Sequence, residues 1–424
     1  MRPSPTAVTS SASPRCPLPT TCCWSSRTSP PADSTAWRPS TWITRSRRPW
    51  PNLPPGVPGP IDDAYFRFVV DVGQTGPDRG QGGKYLLVPP GYKGELPESG
   101  YFIAHTRTCS NWLLMRAFVK DGDRAAAVRR VKQVMRIYPL PQDDDPPPQK
   151  FVNLSGTKFN TIHANDFPSY EELNAVIQQK PADAFNSELV GLFASIGIKK
   201  GSPFSPDAPM RRILTDAAKV ANATARAFLF RLRSKSVYFC PDRRWYSPFA
   251  GGSHEFMNNG GLVLDSRIMF HYYATGITPA MANPKVGTGS VYLPTARYSN
   301  GNDLDGGKTY KVTLPAPVPV NNFWSFTVYD GRTRSMLETD QRLASLNPSV
   351  KPDPDGSYTI WFGPRAPKGH EGNWIQTING KRFNVLLRLY GPLNPWFDKN
   401  WNPGALELVE WRRSIVSSAP LGNK

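Results

Sequence analysis

The sequence lacks several features that would assign it to a large class of proteins. No stretch of its 424 residues approaches the roughly 18 consecutive apolar residues that a membrane-spanning helix needs. Cysteine and histidine are scarce, at five residues each, and they form no HExxH or CxxC spacing. A GxSxG nucleophile elbow is also absent. We therefore expect no membrane span, no metal and no cofactor.

Charge of one sign dominates, but it is unevenly spread. The formal net charge of +18 comes from 51 basic and 33 acidic residues. Seven arginines and a single acidic residue lie in residues 1–52. The remainder has no block of like charge and no nucleic-acid-binding motif, so we expect a solvated surface and no nucleic-acid partner.

The first fifty residues have an unusual composition. Ser, Thr, Pro and Arg make up 34 of them, and Gly, Lys and Glu are absent. Apolar periodicity is missing, so residues 1–52 are predicted to be disordered. Because the stretch also holds four tryptophans and three cysteines, a shifted reading frame or a wrong start is the alternative that we favour.

Residues 53–145 have the pattern of a β-rich domain. Strands are predicted at 64–70 and 84–88. The glycine-rich stretch 73–83 between them contains no GK[ST] and no helix follows it, so it is interpreted as a hairpin loop and not as a phosphate cradle.

Helices are predicted to dominate the middle of the chain, residues 146–287. A first helix at 124–138 precedes this region. Ser169 and Glu172 have the spacing of a capping box, which predicts a helix to about residue 179. Ser205-Pro206-Asp207 predicts the start of a longer helix to about residue 230. The residues predicted for its core face are Met210, Ile213, Leu214, Ala217, Val220, Ala221 and Phe228. Shorter helices are expected at 187–196 and 265–273.

From residue 290 the apolar residues alternate with period two, which is typical of strands. The pairs Asp330-Gly331, Asp355-Gly356 and Asn379-Gly380 are hairpin-type turns. Residues 288–412 are therefore predicted to form an antiparallel, jelly-roll-like β-sandwich, followed by a tail at 413–424. The fold class predicted for the whole chain is α+β.

Several long strings carry a family resemblance. DDAYFR at 62–67 and GGKYLLVPPGYKG at 82–94 resemble DUF1254 domains. WSFTVYD at 324–330 and RLYGPL at 388–393 resemble DUF1214 domains. The resemblance covers roughly residues 53–410. It implies the same three-part architecture, a homo-oligomer and export to the periplasm or beyond, although the N-terminus lacks the apolar centre of a leader peptide.

The candidate catalytic residues are His163, Asp166 and Tyr272. Histidine suits proton transfer near neutral pH, and Asn165 or Asp166 could orient its ring. The alternative is a histidine that only satisfies loop carbonyls. Tyr272, with Tyr273 beside it, lies on a predicted helix and either lines a cavity or packs in the core.

The candidate substrate-binding residues are Asn165, Tyr273, Trp324 and Arg334. Trp324 could stack on a sugar or an apolar ligand, or belong to the sandwich core. Arg334 could bind a substrate carboxylate, or form a surface ion pair.

Two functions follow from these residues. One is a cofactor-independent hydrolase that acts on a small organic substrate in a cleft between the domains. The other is a non-catalytic ligand-binding or assembly protein that uses the β-sandwich for sugars or protein partners. The sequence leaves open whether the protein is an enzyme.

Overall fold

The computed structural model describes residues 21–27 and 49–409, apart from 122, 147, 154–162, 234–236 and 275. The predicted α+β class is confirmed: N-terminal sheets, a helical middle and C-terminal sheets follow one another along the chain. Among the described residues, no helix is both long and apolar enough to cross a membrane.

The strands of the N-terminal part are β1 (Thr21–Arg27), β2 (Pro49–Leu53), β3 (Gly59–Asp63), β4 (Phe68–Val72), β5 (Gly83–Val88), β6 (Phe102–His105), β7 (Asn111–Phe118) and β8 (Arg136–Pro139). The helices are α1 (Arg124–Val134), α2 (Pro168–Gln179), α3 (Ser187–Ser195), α4 (Ala208–Phe230), α5 (Leu264–Tyr273), α6 (Pro279–Ala282) and α7 (Asn394–Phe397). The remaining strands are β9 (Met257–Asn258), β10 (Gly261–Leu262), β11 (Ser290–Thr295), β12 (Tyr310–Leu314), β13 (Val320–Asp330), β14 (Ser345–Leu346), β15 (Tyr358–Gly363), β16 (Trp374–Gln376), β17 (Phe383–Pro392) and β18 (Glu407–Leu408).

Two four-stranded sheets, in the orders β1-β7-β3-β4 and β6-β5-β2-β8, build the N-terminal part. Their shared core includes Ile61, Tyr85 and Met115, and α1 contributes Ala127 and Val131. These sheets hold one wall of a cavity described below.

One prediction for this part is right only in part, and one is wrong. The strand predicted at 64–70 begins only at Phe68, as β4. A turn precedes it, because the Asp63 carboxylate accepts hydrogen bonds from the backbone amides of Tyr65 (2.8 Å) and Arg67 (3.1 Å). The stretch 73–83 is not a hairpin loop, because β4 and β5 belong to different sheets.

The expectation of disorder at the N-terminus is also wrong over one stretch. Residues 21–27 form β1, which pairs antiparallel with β7, from Thr21 opposite Phe118 to Arg27 opposite Trp112. Strand pairing uses backbone groups, so it does not require the apolar periodicity that the stretch lacks. Residues 1–20 and 28–48 lie outside the described residues.

The helices differ from the predictions in three ways. The first ends at Val134 and not at 138, because residues 136–139 pair with β2 as β8. The capping box does not form: Pro168 opens α2, so Ser169 lies inside the helix. The core face of α4 is only partly the predicted one. Leu214 is buried as predicted, whereas Ile213 and Val220 are exposed. The other buried residues of the helix are Ala218, Ala225, Leu229 and Phe230.

The C-terminal part is a β-sandwich of two four-stranded sheets, in the orders β11-β17-β13-β14 and β16-β15-β12-β18. Facing side chains join them in one core: Phe326 lies 5.8 Å from Phe362 between ring centroids. All its strand pairings are antiparallel except that of β15 with β16.

The three turn motifs of the sandwich make different kinds of connection. After Asp330-Gly331 the chain turns back on β13, as the bridge between Tyr329 and Met336 indicates. Asp355-Gly356 and Asn379-Gly380 instead connect strands of opposite sheets, so the prediction of hairpins there is wrong. The predicted domain boundaries stay a prediction.

Period-two alternation also gives the first sandwich sheet a polar outer face. Along β17, Val385, Leu387 and Leu389 enter the sandwich core, whereas Asn384 and Arg388 point to the opposite side. This outer face is nonetheless buried, because α4, α5 and the N-terminal sheets cover it. This polar face lies between two parts of the protein and forms one wall of the cavity.

Candidate functional site

A groove of about 920 Å³ brings together most of the residues singled out from the sequence. It lies between the loop at 163–166, helices α4 and α5, and the turn after β13. Its lining includes His163, Asn165, Asp166 and Tyr272. The loop and the α5 tyrosine are therefore neighbours, although about a hundred residues separate them in the chain.

Arg334 fixes one end of this groove to the sandwich. Its Nη1 donates a hydrogen bond to Asn165 Oδ1 (3.2 Å), and its guanidinium lies 4.0 Å from the centroid of the Tyr272 ring. The Tyr272 hydroxyl donates to Asn222 Oδ1 on α4 (3.0 Å). Arg334 thus contacts both Asn165 and Tyr272, and the Tyr272 hydroxyl is engaged by Asn222.

Among the described residues, His163 contacts a different side chain from the two that were expected to orient its ring. Its side chain is exposed, and its Nδ1 lies 4.0 Å from Glu172 Oε2 on α2. That ion-pair contact is with Glu172 and not with Asp166, while Asn165 is engaged by Arg334. Both side chains are exposed, so solvent screens the electrostatic interaction between them.

Two of the predicted substrate-binding residues lie away from the groove. Trp324 is 1% exposed in the sandwich core, where it packs against Tyr358 at 5.0 Å and Phe326 at 5.9 Å. The prediction of ligand contact is therefore wrong for Trp324, since its position on β13 points it between the two sheets. Tyr273 points away from Tyr272 and lines a second space.

That second space is a cavity of about 340 Å³ between the N-terminal sheets, α5 and the polar outer face of the sandwich; we call it the interdomain cavity. Apolar side chains such as Phe270, Met281 and Leu386 form part of its wall. Its polar and charged lining includes Asp71, Arg116, Tyr273, Tyr292, Tyr329 and Arg388.

Arg388 is a buried charged group of this cavity, with 7% of the residue exposed. Its Nη2 donates to the Tyr329 hydroxyl, and its Nε has no hydrogen-bond partner among the described residues. The Tyr273 hydroxyl is likewise buried without a partner in the described part of the chain. Buried polar groups in folded proteins are nearly always hydrogen-bonded, and a polar ligand in the cavity would supply the bonds that these two atoms lack.

Tyr292 on β11 lies in a strongly positive environment. The Ser290 hydroxyl donates to its oxygen (2.9 Å), and the Arg116 guanidinium also donates to it. Burial alone would raise the pKa of Tyr292, but the charge of Arg116, the bond from Ser290 and the charge of Arg388 outweigh burial and lower the pKa from its ordinary value.

Two acids of the N-terminal sheet hold the segment that follows α5. Asp71 Oδ2 accepts a hydrogen bond from Thr278 Oγ1 (2.7 Å), and burial raises the pKa of Asp71 to about 6. Asp62 Oδ2 accepts from the Ile277 amide (2.8 Å), and burial raises the pKa of Asp62 to about 8. Of the two, only Asp71 reaches the cavity wall.

Sequence reasoning missed Arg116, Tyr292 and Arg388. One signal was available: Arg388 is a single charge in the otherwise apolar run from Val385 to Tyr390. In the part of the chain that the structure describes, no group of three or more His, Cys, Asp or Glu side chains could hold a metal ion.

The fold and these sites define a two-part α+β protein whose N-terminal sheets and C-terminal sandwich enclose a cavity. Residues 49–139 match the family described as "Protein of unknown function (DUF1254)", and residues 289–394 match "Protein of unknown function (DUF1214)". The chain is therefore a DUF1254/DUF1214 domain-containing protein, as its sequence strings predicted. No curated protein matches it.

Two solved structures are similar to the chain. The VPA0106 protein from Vibrio parahaemolyticus is 17% identical with a TM-score of 0.52, over 92% of this chain and 89% of that one. An uncharacterised protein from Burkholderia cenocepacia is 13% identical with a TM-score of 0.40, over 93% of this chain and 77% of that one. At its low identity, the Vibrio structure supports the fold alone.

Proposed function

We propose that the protein binds a small organic carboxylate in the interdomain cavity. The observation that carries this proposal is Arg388, a buried guanidinium that faces the cavity with an unpartnered Nε. Arginine matches carboxylates with its planar fork of donors, and such charge-assisted hydrogen bonds are among the strongest in proteins. An anion beside Arg388 would supply the partner that its Nε lacks.

The volume of the cavity and the chemistry of its lining limit which ligands can bind. A volume of about 340 Å³ is at the lower end of small-molecule sites, which span about 300–1,000 Å³. Phe270, Met281 and Leu386 offer apolar surface, whereas Arg388 and Arg116 offer positive charge. A compact molecule with one carboxylate and an apolar body fits both features.

Binding can be tested with a panel of small carboxylates, from acetate and butyrate to benzoate, by calorimetry and thermal shift. We expect at least one to bind, and we expect Arg388→Met to weaken its affinity by about 10- to 100-fold, the value of a lost hydrogen bond to a charged group. Arg342→Met removes an exposed arginine and is the matched control.

The result that overturns the proposal is either no binding across the panel or equal binding by wild type and Arg388→Met. Circular dichroism and urea unfolding of each variant exclude loss of affinity through loss of folding. If Arg388→Met is unfolded, Arg116→Met serves in its place, because it removes the second cation of the same cavity.

Hydrolysis in the groove is a second candidate, favoured by the convergence of His163, Asp166 and Tyr272 on one surface. There His163 would act as the general base toward water and Arg334 would position the substrate. His163 is exposed, so His163→Ala should remain folded, and activity on a panel of p-nitrophenyl esters should fall by about 10²–10⁴-fold. His105→Ala, also exposed, is the control. Full activity of His163→Ala would remove this candidate.

A further inference from the structure

We infer that Tyr292 is a catalytic base of the interdomain cavity, which removes a proton from the carbon next to the carbonyl of a bound 2-oxo carboxylate. This inference rests on the proposed carboxylate binding and adds a reaction to it. Its geometric basis is the position of the Tyr292 oxygen, which lines the cavity while two donors, from Ser290 and Arg116, point at it.

Two converging donors favour the phenolate form of a tyrosine, because each hydrogen bond is stronger to an anion than to a neutral oxygen. The other charged and titratable groups that line the cavity are Asp71 from β4, Arg116 from β7, Tyr273 from α5, Tyr329 from β13, and Arg388 and Tyr390 from β17. The charges of Arg116 and Arg388 lower the pKa of Tyr292, so the phenolate forms at a pH closer to neutral.

The two arginines would contact different groups of the substrate. Arg388 would hold the carboxylate, as in the proposed binding mode. Arg116, which already donates to Tyr292, would lie beside the oxygen of the 2-oxo group. Charge that develops on that oxygen would then face a cation held in position by the protein, which is the usual source of enolate stabilisation.

The step balances without a further reactant. The C–H bond breaks, its proton goes to the Tyr292 oxygen, and its electron pair forms the C=C bond of an enolate. The negative charge that leaves the phenolate appears on the former carbonyl oxygen. Return of the proton to the same carbon exchanges its hydrogen with solvent, so exchange is the minimal activity that the cavity should show.

The experiment measures hydrogen–deuterium exchange of 2-oxobutyrate in D₂O by proton NMR, with a protein-free blank. We expect wild type to exchange the methylene next to the carbonyl, and Tyr292→Phe to lose at least about 100-fold of the rate. Tyr358→Phe removes a hydroxyl in the other sheet of the sandwich and should match wild type.

Calorimetry of the same samples separates the two proposals. Binding by both proteins with exchange only in wild type supports the base. Binding without exchange in wild type, or undiminished exchange in Tyr292→Phe, overturns the base and leaves carboxylate binding intact. No binding of 2-oxobutyrate or of any carboxylate in the panel overturns both.

A second readout needs no substrate. Titration of tyrosinate absorbance should reveal one group in wild type that ionises below the ordinary tyrosine value of about 10 and is missing in Tyr292→Phe. Arg116→Met should move this ionisation to higher pH. Identical titration curves for wild type and Tyr292→Phe contradict the assignment.

Discussion

At the scale of single residues, the most perturbed acid outside the cavity is Asp62. It is fully buried, one carboxylate oxygen accepts from the Ile277 amide, and the other has no partner. Burial raises the pKa of Asp62 from its ordinary value of 3.8 to about 8, so the folded protein binds a proton that the unfolded chain releases. Stability must therefore fall as pH rises through this range.

We expect Asp62→Asn to remove that pH dependence. Between pH 6 and 8 the wild-type free energy of unfolding should decline, because the folded protein keeps a proton on Asp62 that the unfolded chain has already released, whereas Asp71 has mostly lost its own in both states. The variant, which is neutral throughout, should be the more stable protein at pH 8. Urea unfolding at several pH values measures both curves, with the exposed Asp216→Asn as control. A parallel decline in Asp62→Asn would contradict the assignment.

Adjacent tyrosines on α5 give a matched pair. The Tyr272 hydroxyl donates to Asn222, so Tyr272→Phe should cost about 0.5–1.5 kcal/mol. The Tyr273 hydroxyl is buried without a partner, so Tyr273→Phe should leave stability unchanged or raise it. Urea unfolding of both variants tests the contrast. A larger loss in Tyr273→Phe than in Tyr272→Phe would mean that its hydroxyl has a protein partner.

At the scale of elements, α4 depends on its first turn. Asp207 is the N-cap, and its carboxylate accepts from the Met210 amide at 2.8 Å. We expect Asp207→Ala to cost about 1 kcal/mol, within a range of about 0.5–2 kcal/mol. Asp216→Ala, at an exposed position in the middle of the same helix, should cost less. Equal losses measured by urea unfolding would show that the cap is not important.

Helix α4 also shows which features of an element can be predicted from the sequence and which cannot. The start of α4 was predicted because Ser-Pro-Asp is a local signal whose chemistry acts within one turn. Its buried face was predicted only in part: Leu214 is buried, but Ile213 and Val220 fit the apolar period and no element of the described residues covers them. Here the local signal located the start of the helix, whereas tertiary contacts decide which of its faces is buried.

The same reasoning applies to the sites. His163, Asn165 and Tyr272 were predicted to be functional from their residue types, and the structure places them in one groove. Arg116, Tyr292 and Arg388 lie far apart in the chain and meet only through sheet pairing and the packing of α5. Tyr292 and Arg388 are opposite one another in the β11–β17 register, which no local pattern could indicate.

At the scale of the whole molecule, the two parts are joined around the cavity by a short segment. Residues 276–278 receive contacts from Asp62 and Asp71 of the N-terminal sheet. Gly276 lies so close to Trp112 that a side-chain carbon would stand 2.6 Å from its ring, and its φ of 80° favours glycine. This junction keeps Arg116 from one part close to Tyr292 and Arg388 from the other.

The most direct measurement locates a bound carboxylate. Crystals of the protein soaked with 4-bromobenzoate would show the bromine by its anomalous scattering. We expect the carboxylate to lie against Arg388 in the interdomain cavity, with the bromine toward the apolar wall near Phe270, and we expect no such peak in Arg388→Met. Bromine found only in the groove beside His163, or in no defined site at a concentration well above those used for calorimetry, would contradict the account.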